Sequence, residues 1–212
     1  MRTDLVVVTE PGPGFRGRHP MSHMSPEERP GSDGEEAWVA ILGSSLETVD
    51  LDISYRHLAV ASRAVVGETR VLLYGSVLPW LSAGTHAPDV YGESKRPFIE
   101  IFETALDEQV ADMKELRRQY PDDALVWAGD FNHTLTGPTL SGRASEMLER
   151  AVERLGMKAT NAAAPHRRAG MNALDFICVE RAWKCVAVES GYPLFGGRPL
   201  SDHRSYVSQL ST

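Results

Sequence analysis

The chain has 212 residues, 42% hydrophobic and 24% charged, with a formal net charge of −7. Such a length and composition fit one ordinary domain over residues 1–212 and exclude a coiled coil, a collagen or a disulfide-stapled miniprotein. The acidic balance argues against tight non-specific nucleic-acid binding, two cysteines without a CxxC pattern argue against zinc and for a reduced, cytoplasmic setting, and no apolar run reaches the length of a membrane span.

In chain order, Asp4–Thr9 reads as a buried strand with three successive valines, and Glu10 follows it directly. The stretch 11–36 is rich in Gly, Pro, His and charge and is expected as a long flexible loop. From Ala37 to Val77 the apolar stretches Trp38–Leu42, His57–Val66 and Arg70–Val77 alternate with turns, which predicts an antiparallel meander ended by Leu78-Pro79-Trp80. Glu93–Tyr120 carries Phe98, Ile101, Phe102, Ala105, Leu106, Val110, Met113 and Leu116 at helical spacing, and Pro121 stops that helix. A short strand, Ala124–Ala128, ends in Gly129-Asp130-Phe131-Asn132. Ser141–Leu155 is a second amphipathic helix with Gly156 as its cap. Ala173–Val179 and Trp183–Glu189 predict a hairpin, across which Cys178 and Cys185 could meet, and residues 202–210 predict a last strand. Strands that outnumber the helices and are interrupted by them predict mixed α/β layers, sheet on sheet with helices outside.

The polar residues with chemical potential lie at strand ends. Asp175 is flanked by Leu174 and Phe176-Ile177-Cys178-Val179, an apolar setting that is costly for a carboxylate without a partner. His203 is a natural partner, since an Asp fixes the tautomer of an imidazole and raises its pKa. If the backbone stays extended, alternation puts Asp130 and Asn132 on one side, an acceptor for water beside a donor for phosphate. Glu10 and Asp202 add hard oxygen donors, which suit Mg²⁺ or Mn²⁺. There is no Gly-x-Ser-x-Gly elbow, no phosphate-binding Gly loop and no His-Glu-x-x-His motif.

Taken in chain order, Asp4–Glu10, Gly129–Asn132, Leu174–Val179 and Ser201–His203 resemble, in order and rough spacing, the endonuclease/exonuclease/phosphatase superfamily with its deoxyribonuclease I-like fold. The stretch Tyr74–Trp80 looks like that family's central strand and following Pro loop. The resemblance implies a four-layered α/β sandwich of two packed, mostly antiparallel sheets with outer helices. It also implies a metal-dependent phosphoester hydrolase in which Asp130, Asn132, Asp175 and His203 are catalytic and Glu10 and Asp202 are on the metal side. An earlier strand with a metal-site Asn has no counterpart, so the chain resembles an N-terminally truncated member, with sheet edges open to homodimer formation. A Tyr or His that some members place before the loop's Pro is replaced by Val77-Leu78; His86 reads either as an ordinary surface-loop histidine, the commoner case, or as a substitute donor. Lys95-Arg96 and Arg167-Arg168 are the local basic pairs. Basic residues this sparse favour a small phosphoester substrate over duplex DNA. The other two readings are a catalytically impaired remnant acting as a binding or interaction domain, and a DNA endonuclease.

Overall fold

The computed structural model describes residues 4–12, 14–19, 21–25, 37–49, 58–83, 97–192, 194–195, 198–199 and 201–211. Its first strands are β1 (Leu5–Thr9), β2 (His23–Met24), β3 (Val39–Gly43), β4 (Leu46–Thr48), β5 (Ala59–Val66) and β6 (Thr69–Val77). A single helical turn, α1 (Phe15–Arg18), stands between β1 and β2 and buries nothing. Then follow α2 (Phe98–Gln119), β7 (Ala124–Asp130), α3 (Gly142–Arg154), β8 (Met157–Ala159), β9 (Asp175–Glu180) and β10 (Lys184–Gly191). The short β11 (Leu194–Phe195) and β12 (Arg198–Pro199) precede β13 (Ser205–Ser211).

Two sheets pack face to face. The larger runs β4-β5-β6-β7-β9-β8, antiparallel except for the parallel pair β6–β7. The facing layer consists of β1-β3-β2 and the β10–β13 pair. Period-2 alternation divides the core between the two faces of the large sheet. Leu72, Tyr74, Leu125, Trp127, Phe176 and Cys178 point to α2 and α3. Their chain neighbours Val71, Leu73, Val126, Ala128, Ile177 and Val179 point to the facing layer, where Leu5, Val7, Ile41 and Leu210 meet them. The result is the α/β sandwich that the sequence pattern predicts.

The helices form where their apolar spacing places them. Helix α2 buries Ile101, Phe102, Ala105, Leu106, Val110, Met113 and Leu116. One polar residue joins that stripe: Gln109 is fully buried and donates Nε2–H to Val77 O at 3.0 Å, which satisfies a carbonyl at the end of β6. Ser141 caps α3 by accepting from Ala144 N–H, and Gly156, at φ 65°, closes its other end.

Several expectations need correction. Residues 93–96 of the expected first helix lie outside the described residues, and the helix itself starts after Pro97, which locks the first turn. The predicted meander holds for β4–β6, but β3 crosses to the other layer and pairs with β1 and β2. The stretch 11–36 is not featureless where it is described, since α1 and β2 are built from it. β9 and β10 are not a hairpin: β9 lies between β7 and β8, and β10 pairs with β13. Cys178 and Cys185 are therefore on different sheets, and both are free.

Gly129 is the position where the backbone admits no side chain. Its φ is 150°, and a Cβ there would lie 1.8 Å from Ser76 O on β6. Glycine allows β7 to approach β6 just before Asp130. Gly129→Ala is expected to destabilise the protein by more than about 3 kcal/mol in urea unfolding, whereas Gly142→Ala, with open space around it, leaves stability unchanged or raises it by up to about 1 kcal/mol.

Candidate active site

On β7, Val126, Ala128 and Asp130 share the face toward the second sheet, and on β9 Val179, Ile177 and Asp175 share the same face. The antiparallel register sets Asp130 directly opposite Asp175. Two apolar columns thus end in two carboxylates at one edge of the sheet sandwich. Like charges placed opposite each other destabilise a strand pair unless a cation intervenes. His203, just before β13, supplies one: its Nδ1 donates to Asp175 Oδ2 at 2.8 Å and lies 3.8 Å from Asp130 Oδ2. Ser201 Oγ accepts the His203 N–H at 3.0 Å and shapes the turn that presents the ring.

The electrostatics follow from that packing. Burial raises the Asp130 carboxyl above the usual carboxylate range and the Asp175 charge adds to the rise, while His203 and the Asn132 N–H oppose it. Burial works against a charged His203. The hydrogen bond and charge of Asp175, with the charges of Asp130 and Asp202, outweigh it and hold the imidazole at about 9. His203 is therefore a cation at neutral pH, clamped between two acids.

The other predicted residues take different places. Glu10 follows β1 with its N–H on Trp38 O at 2.8 Å, exposed, and its charge reaches Asp130. Asp202 is exposed and acts on His203 and His166 rather than on Asp130. Asn132 does not sit beside Asp130 by strand alternation. The chain turns left-handed there, at φ 56°, so that Asn132 N–H donates to Asp130 Oδ1 at 2.9 Å while its side-chain amide donates to Leu78 O at 2.9 Å. Glu10, at φ 50°, is the other non-glycine residue with positive φ among those described. Strained backbone of this kind gathers at functional sites. His86 and the Lys95-Arg96 pair lie outside the described residues.

Two contributors escape sequence reasoning. Asn161 is buried, and its amide donates to Asp175 O at 2.8 Å while its Oδ1 accepts Ile177 N–H at 3.0 Å. It thereby extends the β8 ladder with a side chain and fixes the segment that carries Asp175. The adjacent Thr160 shares a hydrogen bond with Ser208 on β13 at 2.6 Å, joining the two elements that hold Asp175 and His203. The second is His166, whose ring centroid lies 5.2 Å from that of His203. Burial and the His203 charge keep it below the usual imidazole value, against the pull of Asp175 and Asp202. The only sequence signal for this pair is a polar stretch, Thr160-Asn161 and His166-Arg167-Arg168, just ahead of the apolar strand.

A cavity of about 440 Å³ opens beside His203. Leu140, Met171 and Leu174 give it apolar walls, and His166, Arg167, Arg168 and Asp202 give it a polar rim. For a divalent cation, the donor set is suitable. A carboxylate oxygen each of Asp130 and Asp175 and a ring nitrogen of His203 lie within 4.8 Å of one another, and of these it is the two carboxylates that would ligate the ion, the protonated ring standing beside it. With Glu10 close by, the acids outnumber the single imidazolium, so an added cation relieves repulsion that burial intensifies.

No protein-family model matches the chain, and no curated protein matches it in sequence. Solved structures do match. A 3′–5′ exonuclease from Neisseria meningitidis superposes with a TM-score of 0.67 at 15% identity, over 99% of this chain and 90% of its own. An endonuclease/exonuclease/phosphatase from Bacteroides vulgatus gives 0.60 at 15% identity, over 98% and 84%. The endonuclease domain of TRAS1, a telomere-specific non-LTR retrotransposon, gives 0.60 at 16% identity, over 96% and 83%. The chain has the endonuclease/exonuclease/phosphatase fold.

In metal-free protein, the His203 imidazole should titrate near pH 9 by NMR, and Asp175→Asn should bring its midpoint down toward the ordinary value of 6.5. Because the folded value is raised, the pair stabilises fully below pH 6.5 and its contribution is lost as pH rises through about 9. The melting temperature in EDTA should fall across that window, and fall less in Asp175→Asn. A wild-type midpoint at or below 6.5 would contradict the clamp.

Proposed function

We propose that this chain is a divalent-metal-dependent phosphoester hydrolase, a phosphodiesterase or phosphomonoesterase, acting as one domain. The observation that carries the reading is the meeting of Asp130, Asp175 and His203 at one end of the sheet sandwich, from three separate elements. In this reading Asp130, with its carboxyl raised, orients a water and takes its proton as the water oxygen bonds to phosphorus. The bond from phosphorus to the leaving oxygen breaks, and that oxygen takes a proton from solvent water and leaves as an alcohol, while Asp130 returns its proton to solvent. His203, held as a cation by Asp175, faces the phosphate and stabilises the charge that accumulates on its oxygens. Asn132 holds the water or the phosphate at the turn after β7. Glu10 stands on the metal side with the carboxylates of the cluster, and Asp202, on the cavity side, supports that arrangement through its charge on His203. Mg²⁺ or Mn²⁺, when bound there, supplies Lewis-acid charge neutralisation.

The substrate favoured is a small phosphoester rather than duplex DNA. The net charge of −7 and a cavity of about 440 Å³ beside His203, within the range of small-molecule sites, support that preference. The free cysteines fit a cytoplasmic setting, and no helix among the described residues is long and apolar enough to cross a membrane. Among the described residues, β1 pairs only with β3, which leaves an edge for a homodimer contact.

Hydrolysis of bis-p-nitrophenyl phosphate tests the reading. The protein should turn it over with Mg²⁺ and stop in EDTA, and Mg²⁺ should raise the melting temperature. His203→Ala and Asp130→Asn should each lower kcat by roughly 10²- to 10⁴-fold. Equal rates in wild type and His203→Ala would reject the assignment.

A further inference from the structure

One wall of the cavity is the loop ahead of β9, and that loop is braced from within and from outside. His166 N–H donates to Met171 O, Met171 N–H to Arg168 O, and Ala173 N–H to Ala164 O. Arg168 N–H donates to His166 Nδ1 at 3.0 Å. The Tyr206 hydroxyl on β13 donates to Pro165 O at 3.0 Å, which pins the loop to the strand that follows His203. The His166 ring stands edge-to-face against that of His203, 5.2 Å between centroids, so the loop lies directly beside the imidazole.

Arg167 is an exposed residue of this loop, yet its head is fixed. Its Nη1 donates to Ser201 O at 3.0 Å. The Ser201 hydroxyl accepts the His203 N–H, so the guanidinium is anchored on the turn that presents the imidazole. Arg167, Asp202 and His203 line the same cavity. The chain has 29 acidic residues against 22 Lys and Arg, and Arg63, Arg70, Arg117 and Arg154 each hold a carboxylate distant in sequence. Arg167 holds none among the described residues. Its one bond is to a neutral carbonyl, which leaves its charge without a counter-ion. A guanidinium presents five N–H donors in a planar fork, so the edge made by Nε and Nη2 remains for a bidentate anion.

We infer that Arg167 is a specificity-determining residue, binding a second phosphate carried by the same small molecule as the scissile phosphoester. The inference rests on the hydrolase reading above and narrows its substrate to a phosphodiester of nucleotide size that also bears a phosphate monoester. The scissile phosphorus belongs with Asp130, and the cation that faces it is His203. Arg167 is anchored two residues before that ring, on the cavity rim, where a further anion meets it and the adjacent Arg168. Asp202 is the opposing charge on that rim. Leu140, Met171 and Leu174 give the group that joins the two phosphates an apolar wall, in a cavity whose 440 Å³ suits a small molecule. Because the guanidinium is held before the substrate arrives, little side-chain freedom is lost on binding.

The test uses two esters with the same leaving group, thymidine 5′-(p-nitrophenyl phosphate) and the same compound carrying a 3′-phosphate. With Mg²⁺ the protein should favour the 3′-phosphorylated ester by about 10- to 100-fold in kcat/KM, mainly through KM. Arg167→Ala should bring that ratio close to one, and Arg167→Lys, which keeps the charge without the fork, should keep part of it. The ratio decides, because a guanidinium that only braced Ser201 would affect both esters alike. A ratio that survives in Arg167→Ala, or a wild-type protein without the preference, would overturn the assignment. Calorimetry in EDTA separates the contact from the chemistry. Thymidine 3′,5′-bisphosphate should bind wild type about 10-fold more tightly than thymidine 5′-monophosphate, and Arg167→Ala should bind the two alike. Equal affinities in wild type would count against the second-phosphate contact even if Arg167→Ala failed to fold. A protein inert toward both esters that still shows the Arg167-dependent preference would remove the hydrolase reading and keep the contact.

Discussion

Two carboxylates face each other across an antiparallel strand pair, and the site is built around that repulsion. Asp130 and Asp175 are register partners on β7 and β9, at the end of columns that are otherwise apolar. In water the pair would repel weakly; with Asp130 only 8% exposed the repulsion is felt through protein. His203 offsets it by bonding Asp175 and lying within reach of Asp130. Removing the imidazole leaves both acids uncompensated, so the same ring serves stability and the chemistry proposed for it.

The rest of the sandwich maintains that juxtaposition. Gly129 lets β7 close on β6, Gln109 ties α2 to the end of β6, and Asn161 extends the ladder beside Asp175. Thr160 and Ser208 join β8's continuation to β13, which fixes the distance between the Asp and His carriers. Each of these is a polar or backbone device set into an apolar frame. Together they account for why a flexible residue such as His203 can hold a 2.8 Å bond at a sheet edge.

Much of this was legible in the residues themselves. Helical spacing from Phe98 to Leu116 and the apolar runs of β6, β7 and β9 leave little choice of element type. The Asp175–His203 bond was also readable, because an acid in an apolar strand demands a partner. What could not be read was pairing between distant segments. β9 and β10 look like a hairpin because a tight turn joins them, yet β9 carries two unsatisfied edges and takes β7 and β8 instead. Asn132 looks like an alternating neighbour of Asp130, but its left-handed φ turns the amide to Leu78. Asn161 and His166 sit in a stretch whose composition is that of any loop, and only the folded backbone shows what their nitrogens and oxygens reach.

Charge on this protein is better understood locally than as a sum. Glu10, Asp130 and Asp175 gather on one side of His203, where a hard cation relieves them. On the other side Arg167, Arg168 and His166 line the cavity, with Arg204 close enough to act on His166. Asp202 is the acidic exception on that side, and its charge falls on both imidazoles. A phosphoester in the cavity would place its anionic oxygens toward the basic rim and its phosphorus toward the acids. The net charge of −7 still matters at long range, since it disfavours a polyanion whose phosphates extend far beyond the rim. A compact substrate with one or two anionic groups feels mainly the local field, and for such a substrate the acidic surface is no obstacle.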